Sequence, residues 1–329
     1  MVHDVAGVAA VQTEILRRAG HEVDQIPLPE IGATWRWPAK AFSLPVRVAT
    51  YAPAVRRIRR GRYDVVHIHW LANGIVGILA RREFFAQAHG SDLHVNLSNP
   101  LYRPVTAAVL QRARGIFYVT PNLRQYMSEV APKLRYLPNP VDVDVVAPKP
   151  TTPTQIARVF IFARIDPVKG VDQIFGSVEE LSRSVEVYAP NWGPLAPEYM
   201  RRYGRWVKFV PTVPHQQVGS LLEQFDVIVG QMKQGILSLS EIEAMAAARP
   251  VITGIDWSLY ADDPPPVIGV RDGREIPQAV ARLQSDLALV ERLARDGREW
   301  VRRNHGYEKH LRILEDAYFG ESGGRSTAR

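Results

Sequence analysis

Val159-Phe-Ile-Phe-Ala-Arg-Ile-Asp-Pro-Val-Lys-Gly170 is the stretch whose reading decides the fold. Its first four residues form an apolar run that reads as a buried strand. The loop behind them carries Arg164 and Lys169 toward a helix start. Free N–H groups and the helix dipole at such a start add to two cations, which suits a diphosphate. A second stretch, Gly235-Ile-Leu-Ser-Leu-Ser-Glu-Ile-Glu-Ala-Met-Ala246, sets polar residues and Glu243 at another helix start. The chain has no Gly-x-x-x-x-Gly-Lys-Ser/Thr loop, so this is not the P-loop solution.

Outward from these stretches, strand-like and helix-like segments alternate twice over. Before residue 138 the strands read as 21–26, 63–70, 84–88, 115–119 and 134–137, with a helix whose one face carries Val8, Val11, Ile15 and Leu16 and which Gly20 stops, a basic helix ahead of Tyr63, and helices at 107–113 and 122–130. The segment 27–45, rich in Pro and Trp, reads as irregular. Pro138-Asn-Pro140 with Pro148, Pro150 and Pro153 marks a linker. Beyond it, strands read at 158–162, 185–188, 207–210, 227–229, 251–253 and 267–270, and helices at 171–181, 215–224, 241–248, 276–295 and 308–318. This is an α/β chain with two doubly wound, Rossmann-like parallel sheets facing a shared cleft. The domains are expected at 1–148 and 149–305, with 308–318 returning to the first and a disordered tail at 320–329.

The 329 residues are 46 % apolar and 23 % charged, the balance of a globular protein of two domains. There is no cysteine, which removes disulfides, thiolate metal sites and cysteine nucleophiles. No apolar run of about 18 residues and no signal-peptide pattern is found, so a cytoplasmic protein is expected. The net charge of +7 is uneven: residues 1–150 hold 19 Lys+Arg against 11 Asp+Glu, and the rest 22 against 23. The excess gathers at Arg56, Arg57, Arg59, Arg60 and Arg62, either a solvated helix face or a contact for an anionic membrane surface. No nucleic-acid motif accompanies it, so no nucleic-acid partner is expected.

Taken in order, six motifs carry a resemblance. They are Arg17-Arg-Ala-Gly-His-Glu-Val23, Asp64-Val-Val-His-Ile-His-Trp70, His89-Gly-Ser-Asp92, Pro138-Asn-Pro-Val-Asp142, Ala163–Gly170 and Ile242-Glu-Ala-Met-Ala-Ala-Ala-Arg-Pro-Val-Ile252. The chain resembles the GT-B glycosyltransferases over nearly its whole length, specifically the retaining, GT4-like group. The resemblance implies a hexosyltransferase that uses a nucleotide-diphosphate sugar, UDP or GDP, as co-substrate, with no other cofactor and no metal. It implies a donor-binding second domain and a first domain for a sugar or lipid-linked acceptor, with cell-envelope or polysaccharide synthesis as the setting.

Residue by residue, Arg164 and Lys169 match the pair that holds the donor diphosphate as it leaves. Glu243 matches the carboxylate on the ribose hydroxyls. Gly235, Ile236, Leu237 and Ser238 match the loop whose amides contact donor sugar and phosphate, and His89 the histidine on the donor sugar. Gly7 resembles the glycine loop against donor and acceptor, and Asp92 either orients His89 or takes an acceptor hydroxyl. Base recognition is expected near 188–193 and 211–213.

The chain departs from the family in three places. Gly235 stands where the family has a glutamate, eight positions before Glu243. Ala163 and Pro140 replace family glycines. The first central strand is expected only as a stub, because Met1–Ala10 falls where the family's strand is already complete. Two readings stay open besides. Ser240-Glu-Ile-Glu243 and Ser238-Leu-Ser-Glu241 both spell a capping box, so Glu243 could close a helix start. His67 and His69, at i and i+2 on one strand face, could join His89 at a metal, or be buried and hydrogen-bonded. A nucleotide-sugar 2-epimerase of the same fold and a non-catalytic sugar-nucleotide binder are the rival functions.

Overall fold

A computed structural model describes residues 1–4, 7–29, 49–100 and 102–320, apart from the side chains of Ser91, His94 and Val95. The readings of 27–45 as irregular and of 320–329 as a tail fall almost wholly outside these residues. The described chain divides into two compact units, 1–140 with 310–329, and 141–309.

The first unit is built on four parallel strands in the order β1-β2-β3-β4: His67–His69, Phe85–Ala88, Gly115–Tyr118 and Leu134–Tyr136. Pairing of His67 with Phe85 and of Phe85 with Gly115 sets the register. Successive side chains point to opposite faces. Ile68, Ala86 and Ile116 enter one core with Ile58, Leu71 and Val109, while Phe85 and Phe117 enter another with Leu16, Leu314 and Tyr318. Leu314 and Tyr318 lie on the helix Tyr307–Phe319, which from His310 onward belongs to this unit.

Beside β1, Val2 alone bridges Ile68 and Ile26 in parallel, so a stub of a strand is what forms there. The expected strand 21–26 likewise shrinks to Ile26, and 63–70 to His67–His69. Next to the stub opens a cavity of about 620 Å³ whose wall includes Asp24, Val66, His67 and Tyr318.

The second unit holds six parallel strands: β5 (Arg158–Ile161), β6 (Glu186–Pro190), β7 (Val207–Val210), β8 (Val227–Val229), β9 (Val251–Gly254) and β10 (Ile268–Val270). Their order is β10-β9-β8-β5-β6-β7, so β5 is flanked by β6 on one side and β8 on the other. Both faces are covered. Val159 and Ile161 pack with Ile174 and Phe175, while Phe160 and Ile228 pack with Ile242, Met245 and Trp300. That explains why these strands read as unbroken apolar runs.

The units divide at Pro140/Val141, ahead of the expected 148/149. Val141 N–H donates to His305 O at 2.8 Å, Val143 and Ala147 are buried in the second core, and Asp142 caps the helix Val143–Val146. Other helices are more broken than periodicity suggested. The segment 171–181 splits at Gly176-Ser177 into Val171–Phe175 and Val178–Leu181. Asp286 starts a new helix, Leu287–His305, by accepting from Leu289 N–H at 2.8 Å. The segment 122–130 lies in a 3₁₀ stretch, Pro121–Lys133, that leaves helical angles at Met127 and Val130.

Candidate active site

The strand order of the second sheet reverses at β5, and ligands of open α/β sheets bind beyond the carboxyl ends of strands at such a point. The two loops leaving β5 and β8 there are the two stretches singled out in the sequence. After β5, Asp166 Oδ1 accepts from Val168 N–H at 2.9 Å and starts a 3₁₀ turn, Pro167–Lys169. The other carboxylate oxygen of Asp166 accepts from Arg164 Nη2 at 2.7 Å. The Arg164 guanidinium also lies 5.9 Å from the Trp192 ring centre. Trp192 is held there by close backbone approach: its carbonyl accepts from Ile165 N–H at 2.9 Å. Gly193, at φ +129°, sits so near that an added Cβ would come 2.4 Å from Ile165 O. Arg164 is 44 % exposed and thus held in direction while open to solvent.

Lys169 joins the two loops. Its Nζ donates to Gln234 Oε1 at 3.1 Å, and its carbonyl accepts from Met232 N–H at 2.9 Å. The loop after β8 is shaped from inside by Gln231, which is buried. Gln231 Oε1 accepts from the N–H groups of Lys233 and Gln234, while its Nε2 donates to Ile236 O and Gly254 O. The sequence carries no motif that would have pointed to Gln231. Gly235 lies at φ +67° with its would-be Cβ 3.1 Å from Asp256 Cβ. The left-handed backbone here favours glycine, so a family-like glutamate at 235 would be strained.

The helix Leu239–Ala246 starts with Ser238 and Glu241 as its capping box. Glu241 is buried; its Oε2 accepts from Ser238 N–H at 3.0 Å and its Oε1 from Gln231 N–H at 2.7 Å. Of the two capping spellings this is the one used, so Glu241 rather than Glu243 closes the helix start. The amides of the loop are unequal, which corrects the expectation that all four face the donor. Leu237 N–H donates to Tyr260 Oη at 2.9 Å and Ser238 N–H to Glu241. Gly235 and Ile236 remain candidates, joined by Leu239 and Ser240, whose N–H groups at the first two helical positions have no intrahelical acceptor. The Ser-x-x-Glu spelling was the signal for that pair.

Glu243, one turn further, keeps a buried carboxylate whose Oε1 meets His215 Nε2 at 2.6 Å. Its Oε2 has no hydrogen-bond partner among the described residues. Bonding to Glu243 raises the His215 pKa above the ordinary 6.5. An NMR pH titration should show His215 protonating at higher pH than a free imidazole and reverting toward 6.5 in Glu243→Gln; equal midpoints in the two proteins would refute the pairing.

Gly7, His89 and Asp92 belong to the first unit. Gly7, at φ +79°, precedes the helix Val8–Arg18. Asp92 is fully buried, and its two oxygens accept from the N–H groups of Leu71, His89 and Gly90 at 2.9–3.0 Å. It holds the loop of His89 by the backbone rather than by the ring, and its oxygens are taken up by these amides rather than offered to an acceptor hydroxyl. His67 and His69 are buried and hydrogen-bonded, His67 to Tyr318 Oη and His69 to His89. Among the described residues no cluster of His, Cys, Asp or Glu has metal-holding geometry.

The basic helix Ala52–Arg60 exposes Arg56, Arg57, Arg59 and Arg60, with Arg57 paired to Asp24 at 3.0 Å. Among the described residues no helix is long and apolar enough to cross a membrane.

Comparison with known proteins bears on the fold. Residues 3–140 match the family model of the glycosyl transferase 4-like domain. No curated protein sequence matches. A sucrose-phosphate synthase from Thermosynechococcus elongatus superposes with a TM-score of 0.73 at 18 % identity, covering 96 % of this chain and 94 % of its own. A glycosyltransferase from Rickettsia africae gives 0.69 at 14 % identity, covering 98 % of each chain. Anabaena HepE, solved in complex with UDP and glucose, gives 0.65 at 13 % identity over 92 % of this chain and 88 % of its own. The chain thus shares the GT-B fold of these structures, and its residues 3–140 match the model of a glycosyl transferase 4-like domain.

Proposed function

We propose that the protein transfers a hexosyl unit from a nucleoside-diphosphate sugar, with UDP or GDP as the nucleotide, to a sugar or lipid-linked acceptor, with retained anomeric configuration and no metal. The observation that carries this reading is that the loop after β5, which holds Arg164 and Lys169, is joined through the Lys169–Gln234 bond to the loop after β8 at the strand-order reversal of the second sheet. Charge builds on the leaving diphosphate as the anomeric C–O bond stretches. Fixed cations and amide dipoles grip that state more strongly than the ground state and lower the barrier. Arg164 supplies a planar fork of donors and Lys169 a compact charge, the work a divalent ion does elsewhere. Glu243 Oε2 takes the ribose hydroxyls and His89 contacts the donor sugar. The complex of HepE with UDP and glucose supports the choice of donor class.

Thermal shift across UDP-, GDP- and ADP-sugars should pick one base, and turnover with that donor should persist in EDTA. NMR of the product should show the donor's anomeric configuration. Inverted product, or activity abolished by EDTA and restored by a divalent ion, would overturn the corresponding part. Release of free sugar from donor alone would favour a 2-epimerase instead.

The exposed arginines of 52–60 give the protein a peripheral position on the anionic cytoplasmic membrane face, where a lipid-linked acceptor resides. Sedimentation with anionic vesicles, lost at high salt and in a variant with Arg56, Arg59 and Arg60 changed to Ser, is expected. Equal weak binding to neutral and anionic vesicles would refute it.

A further inference from the structure

Three imidazoles lie in a row on one face of the first sheet. His67 and His69 alternate along β1, and His89 follows the end of β2. The rings of His67 and His69 are parallel within 8° at 4.8 Å. His67 Nδ1 meets Tyr318 Oη at 2.5 Å, which ties this end of the row to the last helix. At the other end His69 Nδ1 meets His89 Nε2 at 3.1 Å. The ring centres of that pair are 5.3 Å apart, so the bond lies nearly along the line joining them. The two rings therefore meet edge to edge, as a hydrogen bond requires. Burial drives both imidazoles toward the neutral form, His89 down to about 4.

One proton must lie between the two neutral rings, and the surroundings decide which ring carries it. His69 Nε2 is buried without a hydrogen-bond partner. If His69 were protonated there, an N–H donor would be orphaned in the core, which is rarer and costlier than an unused acceptor lone pair. His69 therefore holds its proton on Nδ1 and donates it to His89 Nε2. His89 is left with its own proton on Nδ1, and no described residue bonds that atom.

We propose that His69 is a positioning residue that fixes His89 as the Nδ1–H tautomer, so that His89 presents a hydrogen-bond donor to a hydroxyl of the donor sugar. The proposal rests on the reading of His89 as the sugar contact and adds what sets its polarity. An imidazole free to choose could offer a lone pair instead, which a sugar hydroxyl would meet in the opposite sense.

Long-range proton–nitrogen NMR of the ¹⁵N-labelled full-length protein at neutral pH tests the tautomer directly, with His89 assigned from its loss in His89→Gln. The wild type should show His89 protonated at Nδ1. His69→Leu should release His89 to the Nε2–H form or a mixture and lower kcat about tenfold, with nucleoside-diphosphate affinity unchanged. His69→Asn, whose amide can donate from nearly the same place, should keep both the tautomer and most of kcat. An Nε2–H signature for His89 in the wild type would overturn the proposal, as would His69→Asn behaving like His69→Leu. Absence of turnover by a wild type that shows the Nδ1–H signature would count against His89 as a sugar contact and leave the His69–His89 bond standing.

Discussion

Arg164→Ala is expected to lower kcat/KM on the order of 100- to 1,000-fold, and Lys169→Met by a similar factor, because each removes a fixed charge from the leaving diphosphate at about 3–4 kcal/mol. The fold should hardly notice. Arg164 is 44 % exposed and its ion pair with Asp166 is of the surface kind, worth about 0–1 kcal/mol. The catalytic term exceeds the structural one severalfold, so a large loss of rate with an unchanged melting temperature is the result to look for. Most of the loss should fall in kcat, since the charge being stabilised is largest as the bond breaks. Wild-type rates in both variants would remove these side chains from the reaction.

The second large effect is acid sensitivity of the first unit. Unfolded, its imidazoles take up a proton near pH 6.5. Folded, His67 and His69 resist far below that value and His89 until about pH 4, because burial opposes the charge. Between these limits the unfolded chain binds more protons, so stability is full above about pH 6.5 and is lost as pH falls. His89 alone should contribute a loss of about 2 kcal/mol at pH 5, with the other two adding to it. Asp92, whose pKa burial raises, opposes part of the trend near pH 4. Denaturant unfolding of wild type and His89→Gln from pH 7.5 to 5 should give a shallower decline in the variant; parallel declines would show that His89 does not titrate as its burial requires.

Much of this was legible in the sequence where one residue pattern has one physical outcome. The run Val159–Phe162 read as a buried strand, and the loop behind it carried Arg164 and Lys169 toward a helix start, as the strand Arg158–Ile161 and the helix Val171–Phe175 have it. His67 and His69 at i and i+2 announced a shared face. What stayed hidden depended on distant partners. Two capping boxes were spelled two residues apart, and the choice fell to Ser238 and Glu241 because Glu241 also binds Gln231 N–H, a contact no local pattern shows. Gln231 itself carries no motif, since its role is to fold a loop around one buried amide. Leu237 N–H was lost to the donor loop through Tyr260, 23 residues away. The expected strand 21–26 shrank to one bridge because Val2 is all that lies between it and β1.

Calorimetric titration of the matching nucleoside diphosphate into wild type, Arg164→Ala and Lys169→Met is the most direct test of the diphosphate grip. The account predicts binding to the wild type that weakens about tenfold or more in each variant, while the nucleoside alone, lacking phosphates, binds all three alike. Equal diphosphate affinity in the three proteins would contradict it.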